Sequence, residues 1–277
     1  MTISRRNVGV VLAGILALAI AAPSTAQQAS QALSSESVIE TIKKRGVLKI
    51  GLSLFVPWSM RDKQGELIGF ELDVGRQLAA DMGVEAEFIV TSWDGIIPAL
   101  VAGKFDAIIS GMSVTAQRNL TVNFTDPYAY SGLTVLANQQ MTDGFTMEDF
   151  NSPDVTFTAR RGATPATVIA EVFPDAELLQ FDEDRAATQE VLNGNAHATM
   201  AAQPTPNRES NAYPDTLYVP FETLWDPRGE AFAIRKGDPD ALNYFNNWIS
   251  HQWRIGWLKQ RHDYWFATED WADQIQQ

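Results

Sequence analysis

Two segments of this chain carry residues suited to binding a small anion. Arg118 follows the apolar segment 105–110 and a turn, and an arginine fork just past the end of a strand can grip a carboxylate through two hydrogen bonds. In segment 160–165, Thr164 is predicted to be the N-cap of a helix whose first residue is Pro165, and the free N–H groups of a helix start favour an anion. An arginine on an acidic surface is more often solvated or salt-bridged, and a capped helix needs no ligand. The two segments therefore define a candidate carboxylate site.

The residue types that metal binding and nucleophilic catalysis require are scarce. The chain has no cysteine, which excludes disulfides, cysteine-ligated zinc and a thiol nucleophile. His251 and His262 are about three helical turns apart in one predicted helix and cannot share a metal, while His197 is expected to be hydrogen-bonded in a buried strand. Carboxylates are numerous but scattered, and no zinc, EF-hand, phosphate-loop, dinucleotide or Gly-x-Ser-x-Gly pattern occurs. We predict no catalytic residue, no metal and no cofactor.

Residues 1–26 have the form of a signal peptide. Arg5 and Arg6 precede an apolar run at residues 8–22, and residues 24–26 have the small-x-small form of a cleavage site. The run is shorter than the ~20 residues that a membrane span needs. The general secretory route is the default, although the paired arginines also hint at the twin-arginine route. We expect an exported mature chain.

The charge balance narrows the class of partner. The chain has 34 acidic and 21 basic side chains and a net charge of −13, and removal of the signal peptide makes the charge more negative. Such a surface repels nucleic-acid phosphates and anionic lipid headgroups, which excludes a general nucleic-acid or peripheral-membrane role. The remaining length, roughly 250 residues, suits one large domain or two lobes of ~100–130 residues each.

Strand and helix patterns alternate in two halves of the chain, as in βαβ units with parallel sheets. The predicted strands are 47–52, 87–91, 105–110, 154–159, 177–181 and 197–201, and the predicted helices are 70–82, 95–102, 164–173, 184–193 and the tryptophan-rich 239–265. Between the halves, segment 124–138 is extended, and the irregular segment 220–230 precedes an extended run at 231–235. These two segments predict that the chain crosses twice between the halves, so that a second lobe is inserted into the first. The ligand is then expected at the carboxyl ends of the strands.

The predicted domain organisation follows from these crossings. Residues 27–45 form an N-terminal arm, residues 46–132 the first part of lobe 1, residues 133–229 lobe 2, and residues 230–277 the return of lobe 1. A ligand cleft is expected between the two lobes.

Five strings, in this order, resemble one family over roughly residues 47–266. They are GFELDV at 69–74, WDGIIPAL at 93–100, GKFDAIISGMSVT at 103–115, FTDPY at 124–128 and AIRKGD at 233–238. The chain is similar to the type II periplasmic solute-binding proteins of ABC importers, specifically the polar-amino-acid-binding family, family 3 of the bacterial extracellular solute-binding proteins. The resemblance implies an α/β fold with two lobes, each containing a βαβ sheet. It also implies capture of an amino acid or related small carboxylate by lobe closure and delivery to an inner-membrane ABC permease.

The resemblance also implies which residues of lobe 1 contact the ligand. Arg118 matches the arginine that holds the ligand's α-carboxylate, Ser113 matches a position that adds a hydroxyl, and the backbone at Gly111 matches a position that accepts from the ligand's amine. Phe55 and Trp93 match residues on the two sides of the ligand, although aromatic residues are more often part of a core.

One position departs from the family pattern. The family usually has an aspartate after the Leu-x-x-Gly string, where it pairs with the ligand's α-ammonium, and this position is Ala202 here, next to the neutral Gln203. A lobe 1 position that is acidic in some relatives falls near Ser53. The expected ionic partner of an ammonium is therefore missing, unless Glu190 or Asp226 replaces it.

The matching lobe 2 segment adds positive charge instead. Ala163 and Thr164 match a Gly-Thr or Gly-Ser pair that touches the ligand carboxylate, and Arg160 and Arg161 precede them. These features favour a ligand with two acid groups, or one acid and no free amine. The alternative is that both arginines point to solvent and the ligand is an ordinary amino acid. The predicted ligand-binding residues are Phe55, Trp93, Gly111, Ser113, Arg118, Arg160, Arg161, Ala163, Thr164 and Ala202.

Two rival functions remain open at the sequence level. Cyclohexadienyl (prephenate) dehydratases resemble this family and require a cleft acid to protonate the departing hydroxyl, and no such acid is evident in the sequence. A sensory module that docks onto a membrane receptor is the other rival. If the protein is the binding component of an importer, we expect a monomer that binds an ABC permease in the inner membrane.

Overall fold

The computed structural model describes residues 37–275, so the predicted signal peptide and residues 27–36 of the predicted N-terminal arm lie outside the described residues. The strands are β1 (Val47–Leu52), β2 (Met60–Arg61), β3 (Leu67–Ile68), β4 (Glu85–Val90), β5 (Ala107–Ile108), β6 (Asn123–Asn138), β7 (Thr156–Arg160), β8 (Glu177–Phe181), β9 (Ala198–Ala202), β10 (Leu217–Tyr218) and β11 (Trp225–Ile234). The helices are α1 (Val38–Arg45), α2 (Phe70–Asp81), α3 (Trp93–Val101), α4 (Ala116–Asn119), α5 (Gln139–Thr142), α6 (Met147–Phe150), α7 (Thr164–Val172), α8 (Asp184–Leu192), α9 (Thr205–Ala212), α10 (Pro239–Arg254) and α11 (Trp257–His262). A π-helical turn (Asp263–Ala267) and a short 3₁₀ helix (Ala272–Gln274) follow.

Two groups of parallel strands are joined by two long antiparallel strands. The strand order is β4-β1-β5-β11-β6-β9-β7-β8, with β10 paired to β6. Strand β1 is parallel to β4 and β5, and β7 is parallel to β8 and β9, whereas β6 pairs antiparallel with β11 and β9. The predicted α/β class is confirmed, although the two groups of parallel strands belong to one continuous nine-stranded sheet and not to two separate sheets.

The apolar side chains form separate cores on the two sides of the crossing strands. The larger core joins residues from the first part of the chain to the C-terminal helices, and the second core is built around β7, α7 and β9. Fully buried members include Leu48, Phe70 and Phe245 in the larger core and Phe157 and Phe173 in the second. The lobe boundaries near residues 132 and 230 remain a prediction.

The end of the predicted N-terminal arm is a helix. Ser37 caps α1 by accepting from the Ile39 N–H, Gly46 ends the helix in the left-handed conformation (φ 73°), and Val38 and Ile42 are buried in the larger core. The carboxylate of Asp238, which caps α10, accepts from the Val38 N–H at 2.6 Å. This short amphipathic helix therefore packs against an element about 200 residues away, and the boundary of the arm at residue 45 remains a prediction.

Strand β11 begins earlier than predicted. The segment 220–230 was expected to be irregular, yet residues from Trp225 onward pair with β6. Pro227 and Gly229 interrupt the strand pattern, and the pairing contains register shifts that accommodate them. The prediction is wrong here because the hydrogen bonds come from a strand far away in sequence.

None of the helices in the described part of the chain has the length and apolar character of a membrane span.

Candidate ligand-binding site

A cavity of about 1060 Å³ lies between the two halves of the molecule. Strands β1, β7 and β9 end at its wall, where Phe55, Arg160 and Ala202 follow or close the strands. This is the location that the α/β rule predicts. Eight of the ten predicted binding residues line the cavity, namely Phe55, Trp93, Gly111, Ser113, Arg160, Ala163, Thr164 and Ala202.

Phe55 and Gly111 form one apolar wall. The Phe55 ring stacks on Trp58 at 5.5 Å between centroids, so it is both a cavity residue and part of the adjoining core. Gly111 has φ 53°, and a Cβ atom placed there would come within 3.0 Å of the Phe55 ring. A side chain at residue 111 would therefore push Phe55 into the space that a ligand would occupy.

The Arg118 guanidinium lies beside Ser113, although it is not itself on the cavity wall. Helix α4 positions it, and Thr115 caps this helix by accepting from the Arg118 N–H. Its Nη1 donates to the Ser113 carbonyl at 3.0 Å, its Nη2 donates weakly to the Gly162 carbonyl at 3.4 Å, and its Cζ lies 5.3 Å from the Trp93 ring. Burial, with a smaller effect of the nearby Arg228 charge, lowers the Arg118 pKa to about 10, so the guanidinium remains charged at neutral pH.

Arg160 reaches across the cavity from lobe 2 and is already paired. Its side chain is 4% exposed, and Nη1 donates to Asp184 Oδ2 at 2.9 Å while Nη2 donates to the Ser53 hydroxyl. The Cζ atom also lies 5.1 Å from the Trp93 ring, on which Arg118 packs as well. Burial raises the Asp184 pKa, and the Arg160 charge opposes that rise. The positive charge expected from Arg160 is therefore balanced within the protein.

Arg161 does not reach the cavity. Its side chain is 54% exposed and donates to Asp182 at 3.3 Å and to the Gln180 carbonyl at 3.0 Å. Neighbouring residues of an extended segment point to opposite faces, so Arg160 faces inward and Arg161 outward. The expectation that Arg161 adds positive charge to the cleft is wrong for this reason.

The N-cap of the helix that follows β7 lies one residue earlier than the sequence predicts. Helix α7 begins at Thr164, and Ala163 is its extended N-cap residue (φ −88°, ψ 158°) without a side-chain cap. The prediction that Thr164 is the N-cap is therefore wrong, because the proline takes the second helical position instead of the first. Both Ala163 and Thr164 still line the cavity.

The positions considered for an ammonium partner differ in their access to the cavity. Ala202 lines the cavity with a methyl group, and the Gln203 amide is turned away to donate to Thr134 at 2.8 Å. Glu190 does not line the cavity and accepts from Asn195 at 2.9 Å. Asp226 does line it, but its Oδ1 is ion-paired with Arg228.

Sequence reasoning missed Glu230, which lines the cavity next to Ser113. Glu230 is 2% exposed, and its backbone pairs with that of Ser113 in an isolated bridge. Oε1 accepts from the Ser131 hydroxyl at 2.5 Å. Burial raises the Glu230 pKa to about 7, and the Ser131 hydrogen bond partly opposes this. The available signal was an acid directly before the buried run 231–234, where a solvated charge is not expected.

The histidines have packing roles. His197 Nδ1 accepts from the Thr156 N–H at 3.0 Å, which confirms the predicted hydrogen bond, but His197 is only partly buried and lies just before β9 and not within a buried strand. Burial lowers its pKa. The His262 ring stacks on Phe266 at 4.4 Å, and burial lowers its pKa as well. Within residues 37–275, no group of three or more His, Cys, Asp or Glu side chains is placed to hold a metal ion.

Known proteins are similar to this chain in sequence or in fold over most of its length. The model of the bacterial extracellular solute-binding proteins, family 3, matches residues 48–268. The L-cystine-binding protein TcyJ of Escherichia coli is 25% identical over 260 residues, which cover 93% of this chain and 95% of that protein. The cyclohexadienyl dehydratase of Pseudomonas aeruginosa is 24% identical over 234 residues, covering 84% and 87%.

Among solved structures, a putative ABC-transporter binding component from Wolinella succinogenes, complexed with lysine, superposes with a TM-score of 0.77. It is 35% identical, and the match covers 83% of this chain and 99% of that one. The family model spans most of the chain, and its match includes both groups of parallel strands and the crossing strands between them. The chain therefore belongs to the bacterial extracellular solute-binding proteins, family 3.

Proposed function

We propose that this protein is the periplasmic substrate-binding component of an ABC importer and that it captures an amino acid. The observation that carries the proposal is the Arg118 fork beside Ser113, at a cavity between two lobes that are joined by crossing strands. The names of the relatives support it, since one binds L-cystine and another was solved with lysine. The form of residues 1–26 supports export by a cleavable signal peptide. We expect a monomer that delivers its ligand to a membrane permease.

Arg118 and Ser113 provide the means to bind an α-carboxylate. Two of the five guanidinium N–H groups are engaged, one of them weakly with Gly162 at 3.4 Å, which leaves donors for two carboxylate oxygens. The Ser113 hydroxyl adds a donor on the cavity wall. Arg160 is paired with Asp184 and Arg161 is exposed, so a second carboxylate has no free arginine among these two. The arrangement favours an amino acid over a dicarboxylate.

Contacts across the cleft support a lobe-closure mechanism. The Trp93 indole donates to the Gly162 carbonyl at 3.1 Å, the Thr205 hydroxyl donates to the Val56 carbonyl at 3.1 Å, and Arg160 donates to Ser53. These polar contacts, together with the weak Arg118–Gly162 hydrogen bond, would break when the cleft opens for a ligand. Rotation about the crossing strands β6 and β11 would open the cleft while leaving each lobe intact.

Thermal-shift and scattering measurements test this function. L-lysine, L-arginine, L-glutamine or L-cystine is expected to raise the melting temperature by mass action, whereas dicarboxylates are not. The same ligand is expected to lower the radius of gyration measured by small-angle X-ray scattering, because it favours the closed lobes. No stabilisation by any of these amino acids, together with stabilisation by dicarboxylates, would contradict the proposal.

A dehydratase is the second candidate, and one observation favours it. Glu230 is a buried cleft carboxyl with a pKa of about 7, which suits a general acid that protonates a departing hydroxyl. A relative of this chain is named cyclohexadienyl dehydratase. Turnover of prephenate, followed by chromatography of the products, separates the two candidates. The binding function predicts no turnover by the wild type above that of the Glu230→Gln variant.

A further inference from the structure

Glu230 is a buried carboxyl on the cavity wall without a counter-charge. One oxygen, Oε1, accepts from Ser131, whereas Oε2 is buried and has no hydrogen-bond partner in the described part of the chain. A buried polar atom without a partner is destabilising, and more so when it is charged. A cationic ligand group that donates to Oε2 would remove this cost. We propose that Glu230 binds the α-ammonium group of the ligand, an assignment that rests on the proposed amino-acid-binding function.

The position of Glu230 relative to Arg118 fits an α-amino acid. Arg118 donates to the Ser113 carbonyl at 3.0 Å, and the Ser113 backbone bridges to Glu230, so a cation and an anion flank the same residue. The carboxylate and ammonium of an α-amino acid are attached to one carbon atom and need opposite charges close together. Ser113 provides a wall against which both groups can be held.

Of the six other carboxylates that line the cavity, three already have cations, Glu183 and Glu269 are exposed, and Asp62 accepts from two backbone N–H groups. Asp184 is paired with Arg160 at 2.9 Å, Glu209 is paired with Arg208 at 2.7 Å, and Asp226 is paired with Arg228. Glu230 forms no such ion pair within residues 37–275. Glu230 thus stands in for the acid that is absent at Ala202, from the opposite lobe.

Burial is the main cause of the raised Glu230 pKa, and titratable or charged groups from three segments lie around it. The Glu230 charge contributes to raising the pKa of the fully buried Glu71 on α2. Arg118 lies on α4, and Asp226 and Arg228 form their own pair on β11. With a pKa of about 7, Glu230 is partly protonated in the empty protein at pH 7. A bound ammonium favours the carboxylate, so binding at this pH releases a fraction of a proton.

Two variants and two pairs of ligands test whether Glu230 binds the α-ammonium group. Glu230→Gln keeps the shape of the side chain and an oxygen that accepts from Ser131, and removes the charge. Glu209→Gln removes the same charge from an ion-paired residue of the same cavity and serves as the control. The probes are L-lysine and L-glutamine, each compared with its analogue that lacks only the α-amino group, 6-aminohexanoic acid and 4-carbamoylbutanoic acid. Calorimetry gives the affinities, and circular dichroism checks that each variant is folded.

Glu230→Gln is expected to weaken binding of the amino acid by roughly 10- to 100-fold and to change binding of its deaminated analogue by less than about threefold. Glu209→Gln is expected to leave the preference for the α-amino group unchanged. Calorimetry of the wild type in two buffers of different ionisation enthalpy at pH 7 is expected to show that binding releases protons.

Two results overturn the assignment, and they are distinct. If the wild type binds an amino acid but Glu230→Gln binds it equally well, the ammonium is held elsewhere and the proposed function stands. If no amino acid binds the wild type, the proposed function fails and the role of Glu230 fails with it.

Discussion

An Arg118→Ala variant is expected to bind the amino-acid ligand more weakly by about 2–5 kcal/mol, a loss of roughly 30-fold or more. The physical reason is that the variant leaves the ligand carboxylate enclosed in the cleft without its charged, two-pronged partner. The Arg118 guanidinium is part-buried and packs on Trp93, so solvent cannot fully replace it when the lobes close. Calorimetric titration of wild type and variant with the amino acid found by thermal shift measures the loss.

Two companion variants make this result specific. Arg118→Lys keeps the charge but lacks the planar fork, so it is expected to recover only part of the affinity. Arg161→Ala removes the same side chain at an exposed position that pairs with Asp182, and is expected to leave the affinity unchanged within about twofold. If Arg118→Ala binds within about threefold of the wild type, Arg118 is not the carboxylate anchor.

The features that sequence predicted correctly depend on local periodicity. Alternating strand and helix patterns indicated the βαβ halves, and β1 and β8 have the bounds that were predicted. Because ligands gather at the carboxyl ends of parallel strands, the strand pattern predicted where the cleft lies, whereas the resemblance to the family placed Phe55 and Arg160 in it.

The features that sequence missed depend on contacts between distant segments. Strand β11 is formed by pairing with β6 about 100 residues earlier, and the pairing brings Glu230 beside Ser113. The ion pair between Arg160 and Asp184 could be found only in the folded structure, because the sequence does not show which opposite charge lies next to an arginine. The outward direction of Arg161 needed no such contact, because neighbouring residues of an extended segment point to opposite faces.

The second large effect, a fall in stability with rising pH, is expected from Glu71, which is fully buried beneath the cavity. Its Oε1 accepts from the Tyr128 hydroxyl at 2.7 Å, and the Tyr128 oxygen accepts from the Gly111 N–H at 2.9 Å. Burial raises the Glu71 pKa to about 8, against an ordinary value of 4.5, while the Tyr128 hydrogen bond opposes part of the rise. The neutral acid therefore supports the backbone at Gly111, which lines the ligand cavity.

The sign of the pH effect follows from the raised pKa. Below pH 4.5 the Glu71 carboxyl is protonated in both the folded and the unfolded chain, and its contribution to stability is fully present. As the pH rises towards 8, the unfolded chain loses this proton freely while the folded chain retains it, so the free energy of unfolding falls. At about 1.4 kcal/mol per pH unit, the whole interval accounts for roughly 4–5 kcal/mol.

A Glu71→Gln variant is expected to lack this loss, because glutamine is neutral at every pH and its side-chain oxygen still accepts from Tyr128. Urea unfolding at pH 4.5, 6, 7 and 8.5 gives the free energies of unfolding, and the wild-type value is expected to fall more steeply with pH than that of the variant. Glu148→Gln alters an exposed carboxyl on α6 and is the matched control, expected to keep the wild-type slope. Parallel curves for the wild type and Glu71→Gln would mean that Glu71 is ionised in the folded protein, and that a charged group beneath Gly111 shapes the cavity.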